Sequence, residues 1–143
     1  MADNCQVDFY VLANEDLSAG QLACRLSLMA WEKGHHVTVR AENEQQAKEL
    51  DALMWDFPSG RFLPHSTDPG KQAPVYIAEN ADLSSPRRDL LVNLAESPVP
   101  QPGAFQRVLE IVPANEAHRN ASRHKFRSYR QQGLNPETHP IAK

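Results

Sequence analysis

The sequence predicts a three-layer α/β domain, with helices on both faces of a mostly parallel central sheet. Three observations support that expectation. Short runs rich in β-branched and aromatic residues alternate, in the first half, with longer stretches whose apolar residues recur every three or four positions. The resulting order, β-α-β-α-β-β-β-β-α, suits parallel strands, which need crossovers between them. The chain of 143 residues is long enough for one buried core, and no repeat or linker divides it, so residues 1–143 are expected to form one domain.

The elements follow in order. Val7 to Leu12 reads as the first strand, with Phe9 and Tyr10 supporting it. Ser18 caps a helix from Ala19 to Lys33, where Leu22, Leu26, Met29 and Ala30 recur on one side and Gly34 ends the run. A second strand, His36 to Arg40, is rich in β-branched residues. Asn43 caps a second helix from Glu44 to Trp55, with Ala47, Leu50 and Met54 as its apolar stripe. Arg61 to Pro64 reads as a short strand confined by Pro64 to an edge or an end. A Pro/Gly-rich loop covers Ser66 to Pro74, and strands are expected at Val75 to Ala78, Asp89 to Leu94 and Arg107 to Val112. The prolines between Ser97 and Gly103 mark a loop. Asn115 caps the last helix, which runs to Gln132 and stops at Gly133; residues 134–143 are expected to be an extended tail.

Composition excludes several function classes. No stretch approaches the ~18 apolar residues of a membrane span, and the first residues show no secretory pattern, so a cytoplasmic location is expected. Cys5 and Cys24 are expected to be reduced. No CxxC occurs, no HxxxH with a nearby Glu, and the histidines at 35, 36, 65, 118, 124 and 139 are scattered, so no metal site is expected. A net charge of −3 argues against broad nucleic-acid binding. The charge is uneven, however. Residues 114–133 sum to +4, from Arg119, Arg123, Lys125, Arg127 and Arg130 against Glu116, which leaves −7 on the rest.

Catalytic chemistry finds no foothold. The loop after the first strand lacks phosphate-cradling glycines, and its Glu15 and Asp16 would repel a phosphate. Gly70-Lys71 lacks the following Ser/Thr, the upstream glycine and the helix of a phosphate loop. No serine stands in a nucleophile elbow, and His65 has no spaced partner, so its role is loop-holding by hydrogen bonds or else a contact with a partner, rather than catalysis. No catalytic residue and no cofactor are expected.

The last helix is the informative element. At 100° per residue, Ala117, Ala121, His124 and Ser128 share one narrow face suited to lying close on the sheet. The opposite face gathers Arg119, Arg123, Phe126, Arg127 and Arg130. Either Phe126 folds back into the core and the arginines are a solvated face, or the helix presents an apolar floor with cationic walls. Such a floor suits a peptide carrying a carboxylate and an aromatic ring, since guanidinium forks grip carboxylates in bidentate fashion. Single-stranded nucleic acid could use the same groups, although one aromatic makes a poor track for successive bases. Trp55, Phe57 and Phe62, which flank a Pro/Gly turn, are either core or a second protein-binding patch.

Several segments, taken in order, resemble the chi subunits of bacterial DNA polymerase III. They are Phe9-Tyr10-Val11-Leu12, Asp51-Ala52-Leu53-Met54-Trp55, Phe62-Leu63-Pro64-His65, the run Arg87-Arg88-Asp89-Leu90-Leu91-Val92-Asn93-Leu94, Val112-Pro113, and Phe126-Arg127-Ser128-Tyr129-Arg130 with Gly133. The resemblance covers nearly the whole chain. It implies a Rossmann-like, mononucleotide-binding-like fold without nucleotide chemistry, in a non-catalytic accessory subunit of the clamp-loader assembly. It implies two partners: the psi subunit, and the acidic, phenylalanine-ended tail of single-stranded DNA-binding protein, with DNA touched only indirectly. The tail-binding positions it implies are Arg119, Arg123, Phe126 and Arg127, and the psi-facing ones are Trp55, Phe62, Pro64 and His65. Relatives carry lysine or tyrosine at some tail-binding positions; here charge is kept, but Phe126 lacks a phenolic hydroxyl. The alternatives are a small nucleotide-binding enzyme and a module that binds single-stranded DNA directly.

Overall fold

The computed structural model describes residues 5–56, 63–68, 73–78, 89–100 and 102–141. Their order is β1 (Gln6–Leu12), α1 (Ala19–Glu32), β2 (Val37–Arg40), α2 (Glu44–Asp56), β3 (His65–Ser66), β4 (Val75–Ala78), β5 (Leu90–Asn93), β6 (Arg107–Val112), α3 (Glu116–Gln131) and β7 (Glu137–Ile141). The described strands form one sheet in the order β3-β4-β2-β5-β6-β1-β7, and every pairing is parallel. The fold is the expected Rossmann-like α/β arrangement, and among the described residues its sheet is wholly parallel.

Local chemistry sets the helix ends. Ser18 accepts a hydrogen bond from the Gln21 N–H, and the Gln21 side chain returns one from the Ser18 N–H, a reciprocal capping box. Asn115 caps α3 by accepting from the His118 N–H. Both α1 and α3 are followed by a glycine at φ 90° (Gly34 and Gly133), where a side chain would strain the backbone.

Alternation along the strands builds two cores. Leu12, Val37, Val39, Val75, Ile77, Leu90, Val92, Leu109 and Ile111 face α1 and α2, where Leu22, Leu28, Leu50 and Met54 meet them. Val7, Phe9, Leu91, Val108 and Val112 point to the other face and pack under Tyr129 of α3. Each fully buried large side chain contributes roughly 1.5–3 kcal/mol of transfer free energy.

One expectation needed correction, and another gained a detail. The short strand expected at Arg61 to Pro64 begins only at His65: residues 61 and 62 lie outside the described residues, and Leu63 and Pro64 precede the strand. Proline has no N–H for a ladder, but the Pro64 carbonyl accepts from Val75 N (3.3 Å) just ahead of the pairing. The tail, expected to be extended, also pairs. Glu137–Ile141 adds to the sheet beside β1, and Pro140 is tolerated there because β7 is the outermost strand.

Cys5 and Cys24 are both free and buried, and burial pushes the Cys24 thiol up to about 12. Native protein at pH 8 is therefore expected to leave Cys24 unlabelled by a thiol-specific disulfide reagent, with full labelling after denaturation. Rapid native labelling of Cys24, located by peptide mass mapping, would contradict this burial.

Candidate functional site

The setting of α3 starts with a charge in an apolar strand. Glu110 interrupts Val108-Leu109-Glu110-Ile111-Val112 and has no exposure at all. A carboxylate there must be paired, because an isolated buried charge is very costly. Lys125 Nζ lies 2.8 Å from Glu110 Oε1, and Asn93 Nδ2 donates to Oε2 at 2.8 Å. The Tyr129 hydroxyl donates to the same Oε2 and accepts from the Val99 N–H at 2.9 Å. Burial, with the Glu110 charge beside it, pushes the Tyr129 hydroxyl well above its usual pKa. The network continues through Arg40, whose Nη1 donates to Asn93 Oδ1 (3.4 Å) and to the carbonyls of Ser97 (3.0 Å) and Pro98 (3.2 Å).

Lys125 and Tyr129 are four residues apart, so they occupy one face and set the rotation of the helix. That face differs from the one expected. Ala117 and His124 are exposed, while Lys125 and Tyr129 are buried, with His118 and Ser122 half-buried on the same side. The helix is turned by roughly one residue step, about 100°. Small side chains suggested close packing, but the pairing demand of Glu110 outweighs that preference.

The rotation decides where the tail-binding candidates stand. Phe126 lies at the boundary, half-buried, its ring 5.4 Å from that of Phe9 and tilted by 48°. It is neither sealed in the core nor standing alone in solvent. Arg119 shares this boundary. Its Nε is buried and finds no acceptor among the described residues. Arg123 is exposed, with Nη1 donating to Asn120 Oδ1, and Arg127 and Arg130 are exposed as well. Around the helix, Phe126, Arg119, Arg130 and Arg123 fall within roughly 60° of one another, with Arg127 about 40° further on. The result is one aromatic edge flanked by guanidinium groups.

The second candidate set behaves differently. Trp55 is 60% exposed at the end of α2. His65 lies under it, with ring centroids 4.8 Å apart, edge to face. The His65 side chain is 1% exposed and is held by Leu63 O (2.6 Å) and Asp51 O (3.1 Å). It therefore braces Trp55 and the chain end before β3, the loop-holding role expected of it. Pro64 is half-buried, while Phe62 and Phe57 lie outside the described residues.

At the carboxyl end of β1, where related folds receive a nucleotide phosphate, a cavity of about 180 Å³ is lined by Asn14, Glu15, Leu17 and Asn115 among others. It is smaller than the ~300–1,000 Å³ usual for small-molecule sites, and its one charged wall is acidic.

Lys125, Glu110, Tyr129 and Arg40 were not singled out for a structural role by sequence reasoning. A lone acid in the middle of an apolar strand was the signal for Glu110.

Lys125→Ala is expected to cost about 3–5 kcal/mol, because it strands the Glu110 carboxylate, whereas Arg123→Ala changes stability by about 0.5 kcal/mol or less. Urea denaturation of both variants checks the contrast.

Comparison with known proteins places the chain in a family. Residues 5–137 match the family described as DNA polymerase III chi subunit, HolC. The DNA polymerase III subunit chi of Pseudomonas aeruginosa is 41% identical over 139 residues, covering 95% of this chain and 96% of that protein. The Escherichia coli K12 protein of the same name is 34% identical over 138 residues, covering 91% and 94%. That of Haemophilus influenzae is 30% identical over 138 residues, covering 93% and 95%.

Proposed function

The chain belongs to the chi-subunit family of DNA polymerase III, and we propose that it is a non-catalytic accessory subunit of that polymerase which joins two protein partners. One partner is the acidic, phenylalanine-ended tail of single-stranded DNA-binding protein, received by α3. The other is the psi subunit, received at Trp55, through which the chain reaches the clamp loader.

The observation that supports the first contact most directly is Arg119. A buried guanidinium N–H without an acceptor among the described residues costs on the order of 1–3 kcal/mol, and an incoming carboxylate relieves that cost. Phe126, half-buried against Phe9, offers an apolar edge for the tail's ring. Arg123 and Arg127 add charge that a strongly acidic peptide needs. For the second contact, Trp55 is the kind of exposed aromatic that anchors protein interfaces, and His65 and Pro64 hold the surface beside it. His65 acts from beneath Trp55 rather than by touching psi. Phe62 belongs to this proposed interface on the family resemblance alone.

An isothermal titration with an acidic peptide ending in phenylalanine tests the first contact. Arg123→Ala is expected to weaken binding by about tenfold or more, the worth of one charge-assisted hydrogen bond. Unchanged affinity would remove the site. Trp55→Ala is expected to weaken psi binding by at least about thirtyfold, the loss of one interface hot spot, while leaving peptide affinity intact. Purified protein should bind single-stranded DNA only weakly at physiological salt. Tight binding would favour direct strand recognition by the same helix.

A further inference from the structure

Asp8 is a second lone acid within an apolar strand, on the face opposite Glu110, and it is fully buried. Its two oxygens do different work. Oδ2 accepts from Arg107 Nε at 2.7 Å, while Oδ1 faces His139 Nε2 at 2.8 Å, and Gln6 Nε2 lies 3.2–3.3 Å from both. His139 comes from β7, where parallel register sets Glu137 beside Asp8 and His139 beside Tyr10. The Tyr10 ring stacks on the imidazole at 5.1 Å and 26°, which fixes its plane. Glu137 is exposed at the open side of the group. One ligand atom from each of Asp8, Glu137 and His139 lies within 4.8 Å of the other two.

Two carboxylates stand against one guanidinium here, so the cluster keeps an excess negative charge whenever the imidazole is neutral. One imidazole and two carboxylates are a donor set for borderline first-row divalent ions, whereas magnesium prefers oxygen ligands and retained waters. We propose that Asp8, Glu137 and His139 form a binding site for a divalent transition cation of the zinc type, which fastens the edge strand β7 to β1.

The geometry needs little adjustment. Metal–ligand distances of about 2.0–2.2 Å in a tetrahedron put ligand atoms roughly 3.3 Å apart. The 2.8 Å pair of Asp8 and His139 therefore opens by about half an ångström, while Glu137 swings in and water fills the fourth position. In the metal-free protein Nε2 bears the proton it donates to the carboxylate. The ion takes that place at Nε2, and the neutral ring carries its single proton on Nδ1 instead. Arg107 keeps its hold on the other Asp8 oxygen and orients it, the usual work of an outer partner at a metal site. Asp8 and His139 are 131 residues apart in the chain, which is why no local spacing announced them.

Isothermal titration of the full chain with zinc chloride, and separately with cobalt chloride, tests the site. The expected result is one ion per chain, a visible absorption band for bound cobalt, and no competition from magnesium. His139→Ala and Glu137→Gln are each expected to weaken binding by at least roughly tenfold, the loss caused even by removing an outer partner. His35→Ala, on the exposed turn after α1, should bind as the parent does. Circular dichroism confirms that the metal-free variants are folded, and Glu137→Gln alters only an exposed side chain. Binding no tighter than that of magnesium, or zinc affinity unchanged in both Glu137→Gln and His139→Ala, would overturn the proposal.

Discussion

Glu110 sits without solvent contact in the middle of a parallel sheet, and the placement of α3 follows from it. A parallel sheet between helices is dry on both faces, so this carboxylate needs partners from above. Lys125 and Tyr129 supply them from adjacent turns of one helix. A buried ion pair of this kind adds little net stability over an apolar pair. It does impose geometry, because only one rotation of α3 delivers both groups. Phe126 then comes to the boundary beside Phe9, with Arg119, Arg123 and Arg130 along one flank. The arrangement of the candidate binding surface is thus a consequence of a contact one helix face away.

The same network occupies ground that other folds of this architecture give to ligands. Arg40 and Asn93 are the last residues of β2 and β5, at the carboxyl edge of the sheet where nucleotides usually bind. Here the Arg40 guanidinium is taken up by Asn93 and the backbone oxygens of Ser97 and Pro98. Glu15 and Asp16 stand where a phosphate loop would need glycines. The fold's usual binding edge is partly filled by internal hydrogen bonds, and the recognition surfaces proposed above, a helix flank and an exposed tryptophan, lie elsewhere.

On the opposite face, Asp8 gathers Arg107, Gln6 and His139 and so joins β6 and β7 to β1. The two buried acids lie on neighbouring strands and serve the two ends of the C-terminal segment. Glu110 holds the helix, and Asp8 holds the strand that follows it.

Most regular elements were legible because their causes are local. Ser18 and Asn115 cap, Gly34 and Gly133 stop, and the β-branched runs pair. The strand β7 escaped notice because Glu137-Thr138-His139-Pro140-Ile141 is polar and contains proline; it is a strand because β1 offers it an edge. The start of β3 was misplaced because two residues give no periodicity. The sheet-facing side of α3 was misjudged because Lys125 looked like one more surface cation. The basic flank was foreseeable from residue type, but whether Trp55 belonged to the core or to the surface was not, because an aromatic at a helix end serves either.

What the chain determined by itself was the fold class, the helix boundaries, the basic character of the last helix and the likeness to the chi family, all of which depend on neighbours in sequence. Which way α3 is turned, the strand pairing of the C-terminal segment and the meeting of Asp8 with His139 were decided only in three dimensions. The reason is electrostatic. A buried charge must find its counterpart wherever folding brings one within about 3 Å, and that partner leaves no local pattern in the sequence.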